Sequence, residues 1–192
     1  MYRAVTLYAI QNNLISEVSF NEDDLVKQLV NITLTFKCNS QLGFSEIYLN
    51  DKNVEPQIRT LEVSTYVSII AANSQVRKKL VEQQQKMGEN RGVVMDGRDI
   101  GTVVFPDAEL KLFMTASADV RAKRRFDELI ERGDNVDYSE VLNNVVNRDK
   151  IDTTREDSPL VKANDAIEVD NSNLSRDEQF QKILRLVLDF IK

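Results

Sequence analysis

Histidine and tryptophan are absent from the 192 residues, cysteine occurs once, and glycine and proline occur only six and three times. Without histidine, Ser-His-Asp and Cys-His chemistry is excluded, and with it most zinc sites. Cys38 alone forms neither an intrachain disulfide nor a thiolate cluster, which fits a reducing compartment and points to the cytoplasm. Long apolar runs are missing too. The longest helix-like one, Val67 to Ala72, is interrupted by Ser68 and falls well short of the ~18 apolar residues of a membrane span. The N-terminal run Val5 to Ile10 ends in Gln11, Asn12 and Asn13, which does not make a secretory signal. Basic residues are outnumbered, 25 against 31 acidic, for a net charge of −6 that excludes a nucleic-acid-coating surface. No internal repeat or low-complexity tract is visible. What is present is ordinary globular usage, 42% hydrophobic and 29% charged, on a chain long enough for one large domain. Acid–base work falls to carboxylates, and anion handling to 13 Arg and 12 Lys.

The pattern predicts helix from Met1 to Gln11 and a capped helix from Asn21 to Leu29. Ile32–Lys37 and Ser45–Asn50 alternate at period two, joined by Asn39 to Gly43 and followed by a turn at Asn50–Asn53, as in a small antiparallel β insert. A long helix is expected from Leu61 to Met87. Three short apolar strands follow, Val93–Met95, Leu110–Met114 and Ala166–Asp170, alternating with helices over Ser117–Arg132, Ser139–Lys150 and Ser175–Ile191. The last carries one apolar stripe of Phe180, Ile183, Leu184, Val187, Leu188 and Ile191. Alternating strands and helices predict an α/β fold with a parallel sheet, which binds ligands at the carboxyl ends of its strands.

Three constellations could carry chemistry there. Asp96-Gly97-Arg98-Asp99 sets two carboxylates and a guanidinium after the strand at Val93–Met95. Arg98 can fork onto a phosphate, and either Asp can accept from a base amino group or hold a metal's water shell, or the group is a salt-bridged turn. Arg121, Arg124 and Arg125 share one helical stripe, either neutralised by a polyanion or relieved by Asp127, Glu128 and Glu131. Arg148, Asp152 and Arg155 stand at helical spacing, an Asp between two Arg suiting a sugar hydroxyl beside a phosphate, or an ion-pair ladder. Arg3 and Arg77 add to the same positive set, so that eight Arg occupy candidate anion-facing positions.

Met95-Asp96-Gly97-Arg98-Asp99-Ile100-Gly101-Thr102 and its continuation to Ala108 resemble the signature stretch of bacterial cytidylate kinases. The likeness continues through Lys111–Phe113, Arg121–Arg125, Arg148-Asp149 and Asp152–Leu160. Upstream it includes Met1–Ala4, Ile58–Thr60, Ser68–Ala71 and Val76-Arg77, and so covers essentially the whole chain. It implies a P-loop nucleoside monophosphate kinase-like, three-layer parallel sheet. The implied activity moves a phosphoryl group from ATP, with Mg²⁺, to CMP or dCMP. The core would be residues 1–30 and 58–192 with a lid near 121–155, and residues 31–57 would be the monophosphate-binding β insert. By position, Arg3, Arg77, Arg98 and Arg155 would grip the CMP phosphate, while Ser68 and Asp99 would read cytosine, whose amino group donates to a carboxylate. Arg148 and Asp152 would hold the ribose, and Arg121, Arg124 and Arg125 would border the lid over the ATP phosphates. Arg98, Arg121, Arg124, Arg125 and Arg155 are the catalytic set so implied, no protein metal ligand is expected, and a monomer is implied.

Against the family pattern, no G-x-x-x-x-G-K-[ST] sequence occurs in these residues. The expectation is therefore a chain without the family's first βαβ unit and its Walker A loop, impaired toward ATP and able to associate through exposed sheet edges. The competing expectations are a non-catalytic CMP- or nucleotide-binding protein and a phosphate-binding module unrelated to catalysis. No nucleic-acid or membrane partner is expected.

Overall fold

The computed structural model describes residues 1–41 and 43–191; Leu42, in the expected turn of the insert, lies outside them. The chain divides into two compact units, Met1–Arg91 with Lys150–Asp157, and Gly92–Asp149 with Ser158–Lys192.

In the first unit, helix α1 spans Tyr2–Gln11 and buries Ala4, Val5, Leu7 and Ala9. Helix α2 spans Glu22–Gln28, capped by Asn21, whose side chain accepts from the Asp24 N–H. A 3₁₀ turn at Leu29–Asn31 leads into strand β1, Leu34–Asn39, paired antiparallel with β2, Phe44–Leu49. The register sets Leu34 opposite Leu49 and Phe36 opposite Ile47. The expected turn at Asn50–Asn53 is shorter than its sequence pattern: Asn50 and Asp51 take positive φ and make it, while Lys52–Asn53 form strand β3 on β2. The expected single helix from Leu61 is instead two, α3 Leu61–Ala72 and α4 Ser74–Gly88. Asn73 separates them because its backbone turns extended while its side chain caps the Val76 N–H at 2.8 Å. The core joins α1, α2, α3, α4 and the base of the β insert through Val5, Leu25, Ile47, Val63, Ile70 and Leu80.

In the second unit, β4 Leu112–Thr115 and β5 Ile167–Asp170 pair in parallel, Leu112 opposite Ile167 and Thr115 opposite Asp170. The expected third strand, Val93–Met95, does not form. The segment follows two positive-φ residues, Arg91 and Gly92, and Val94 is fully exposed. A strand needs a neighbour to take up its backbone N–H and C=O groups, and no strand among the described residues pairs with this one. Helix α5, Ala118–Glu131, is capped by Ser117 and stopped by Gly133 at φ +86. Helix α6, Tyr138–Thr154, runs longer than expected, and the division between the units falls within it. Ala122, Leu129 and Val141 make a small core, flanked by Phe126 and Tyr138 edge to face at 5.8 Å. Helix α7, Arg176–Ile191, starts in a reciprocal Ser175–Glu178 cap but buries no residue. Among the described residues no helix is long and apolar enough to cross a membrane.

Candidate functional site

The candidate residues divide between the units. In the first are Arg3 on α1, Ser68 on α3, Arg77 on α4, and Asp152 and Arg155 around the end of α6. Arg77 is almost wholly buried. One of its guanidinium nitrogens donates to the Ala71 carbonyl at 3.2 Å, its Nε lies 3.5 Å from Asp157, and its plane sits 5.5 Å from the Tyr2 ring centroid. This holds one arginine from three directions and fixes its fork. Asp152 and Arg155 pair at 3.6 Å with side chains only 3% exposed, and the Arg155 N–H bonds to Ile151 at 3.0 Å, extending the helical path past Thr154. Charges are not buried in this way unless paired. Arg3 donates to the Ile58 carbonyl at 3.0 Å, tying α1 to the 3₁₀ turn Gln57–Arg59. Ser68 is 1% exposed, and its hydroxyl has no hydrogen-bond partner among the described residues. A buried hydroxyl left without a partner costs about 1–3 kcal/mol, a cost that a water or a ligand group reaching it would remove.

In the second unit, Asp96-Gly97-Arg98-Asp99 is a loop that leads into a π turn over Ile100–Val104. Asp99 is buried, and its carbonyl accepts from the Val103 N–H at 2.9 Å. The wide turn is closed by the Phe105 N–H on the Ile100 carbonyl at 2.7 Å, a local geometry enriched at functional sites. Gly97 lets the loop pass close to Ile100, whose side chain would have to shift to admit a Cβ standing 2.8 Å away. Arg98 is exposed and Arg148 half-buried on α6.

The three arginines of α5 do not converge. Arg121 forks onto Asp149 with bonds of 2.9 and 2.6 Å and donates from Nε to the Ala116 carbonyl. Arg124 reaches the Asn171 side chain and backbone, and Arg125 pairs with Glu128 at 2.7 Å. Of the relieving carboxylates read from the sequence, Glu128 takes Arg125, and Asp127 takes the neighbouring Lys123. Asp149, Asp157 and Tyr2 were not singled out from sequence, because their partners lie 28, 80 and 75 residues away.

Among the described residues no group of three or more Cys, Asp or Glu gathers as a cation site. The described side chains therefore do not by themselves form a dedicated Mg²⁺ cage.

The cytidylate kinase family model matches residues 1–189. The chain is 66% identical to the cytidylate kinase of Flavobacterium psychrophilum over 187 residues, 97% of this chain and 83% of that protein. It is 64% identical to that of Flavobacterium johnsoniae over 192 residues, 100% of this chain and 84% of the relative. To that of Bacteroides fragilis it is 52% identical over 179 residues, 93% and 78%. A buried guanidinium, a buried Asp–Arg pair and an unpartnered hydroxyl therefore sit in a sequence matched from end to end, and the chain belongs to the cytidylate kinase family of nucleoside monophosphate kinases.

Proposed function

We propose that this chain binds CMP or dCMP as the acceptor of a phosphoryl group from ATP, giving ADP and CDP or dCDP. The observation that carries the acceptor assignment is the orphaned, buried Ser68 hydroxyl on the helix just before α4 and its buried Arg77. In this reading Ser68 and Asp99 meet the edge of cytosine, whose exocyclic N–H donates to the carboxylate. Arg3, Arg77, Arg98 and Arg155 hold the acceptor phosphate, and Arg148 and Asp152 the ribose hydroxyls. Arg121, Arg124 and Arg125 border a lid over residues 121–155 that closes on the donor, and residues 31–57 form the monophosphate-binding insert. Phosphoryl transfer of this kind needs little covalent help. It is served by positioning and by neutralising charge on the transferred oxygens, which suits a site rich in Arg and devoid of His.

Mg²⁺ would arrive with ATP as part of the substrate and would supply charge neutralisation on its phosphates. The reading has two halves, acceptor binding by the residues named above and phosphoryl transfer from ATP to that acceptor. Calorimetry with CMP, beside a coupled ADP-release assay, tests both halves. Saturable CMP binding that Ser68→Ala weakens about tenfold is expected, the size of one lost buried hydrogen bond. A folded wild-type chain that ignores CMP overturns the acceptor assignment, and CMP-dependent ADP release with no CDP formed overturns the transfer half.

A further inference from the structure

The β insert leaves the helical layer where the 3₁₀ turn Leu29–Asn31 becomes strand β1, and backbone carbonyls at such a place lose their helical partners. Two side chains of α4 take them up. Lys79 Nζ donates to the Leu29 carbonyl and, at 2.6 Å, to that of Ile32; Gln83 Nε2 donates to the Leu34 carbonyl at 2.6 Å. Lys79 and Gln83 are one turn apart on one face of α4. Asn73, which caps the same helix, reaches Glu22 at the start of α2. The polar side of α4 therefore fastens the chain from α2 to the entry of the insert.

A lysine ordinarily extends its ammonium to water, and burying that charge without a carboxylate is costly. Lys79 instead turns inward onto two neutral carbonyls, and burial pushes its ammonium below the ordinary lysine range. The geometry explains why a lysine is used: one group bridges carbonyls three residues apart across a change from helix to strand. The returning strand is anchored separately. The Ile47 N–H donates to Glu55 at 3.2 Å, and Arg59 forks back onto the same carboxylate, with its Nε at 2.8 Å.

We infer that Lys79, assisted by Gln83, is a positioning residue that sets the β insert against the helix carrying Arg77, and thereby sets the affinity for the acceptor nucleotide. This rests on the acceptor reading above. Lys79 lies two residues from Arg77 on α4, so its hold on Leu29 and Ile32 transmits the insert's posture to the helix that presents that guanidinium.

Hydrogen exchange and CMP calorimetry on the full chain test this with Lys79→Met, Lys79→Arg, Gln83→Met and, as control, Lys78→Met at an exposed site on the same helix. Lys79→Met should speed exchange of the 32–38 amides without nucleotide and weaken CMP about tenfold, and Lys79→Arg should restore both, since it keeps the charged donors. Gln83→Met should give a smaller shift in the same direction, and Lys78→Met none. A folded Lys79→Met that binds CMP as tightly as wild type overturns the positioning role, whatever it does to exchange or melting. If Lys79→Met unfolds the chain, Gln83→Met decides alone: faster 32–38 exchange with weaker CMP supports the role, and unchanged CMP affinity overturns it. A wild-type chain that does not bind CMP overturns the acceptor reading itself, and is told apart because the fault is then present before any substitution.

Discussion

Helix α1 has seven hydrophobic residues in ten and helix α7 eight in sixteen, and the first unit wraps α1 while the second leaves α7 open. Ala4, Val5 and Ala9 of α1 are wholly buried, and even Thr6 is buried, its hydroxyl donating to the Tyr2 carbonyl. On α7, the more one-sided helix, Phe180 is 60% exposed and Ile191 73%. The strands are less divided. The antiparallel insert presses Leu34, Ile47 and Leu49 into the first core but leaves Phe36 and Phe44 exposed, and the parallel pair buries Val169 but leaves Met114 and Ile167 exposed. An apolar stripe states which face of an element gains by being covered; it does not supply the cover.

Truncation variants break or confirm that contrast most directly. Leu80→Ala, at a wholly buried position, should cost about 2–5 kcal/mol in urea unfolding, whereas Phe180→Ala should stay within about 0.5 kcal/mol. A Phe180→Ala cost as large as that of Leu80→Ala would mean that α7 is covered in solution. Next in size is the buried ribose-facing group proposed above. Asp152→Asn should weaken CMP by about 1.5–3 kcal/mol and dCMP by less, because a charged acceptor for a hydroxyl is lost. Equal losses for the two nucleotides remove Asp152 from the ribose. Helix starts come third: Asn73→Ala in the first unit and Ser175→Ala in the second should each cost about 1 kcal/mol, read from thermal midpoints. A larger loss at Asn73 is expected, since it also holds Glu22.

The smallest effect is electrostatic. Hydrogen bonding to Lys111 holds the exposed Asp165 carboxyl below its usual range. A carboxylate with a depressed folded-state pKa contributes stability above its unfolded pKa and loses it as pH falls through the folded one. Asp165→Asn should therefore lower the urea midpoint slightly at pH 7, with the difference vanishing toward acid. A difference that persists in acid would assign the effect to packing.

Much of the local structure was legible because its causes are local. Asn21, Ser117 and Ser175 each cap the helix their sequence announces, Gly133 closes α5, and the period-two runs pair as β1 and β2. The failures share one cause. Val93–Met95 has the composition of a buried strand but no ladder among the described residues, and Asn73 looked like an interior helix residue until its side chain turned to cap α4. The π turn after Asp99 left no signal beyond the close approach that Gly97 permits.

At the site, the sequence alone determined the supply of groups: thirteen Arg, no His, and the Asp-Gly-Arg-Asp stretch that carries the family likeness. Tertiary structure decided how those groups are spent, because ion pairs and orphaned hydroxyls depend on residues distant in the chain. It buried Arg77 beside Asp157 and Tyr2, committed Arg121 to Asp149, left Ser68 without a partner, and turned Lys79 inward to hold the entrance of the β insert.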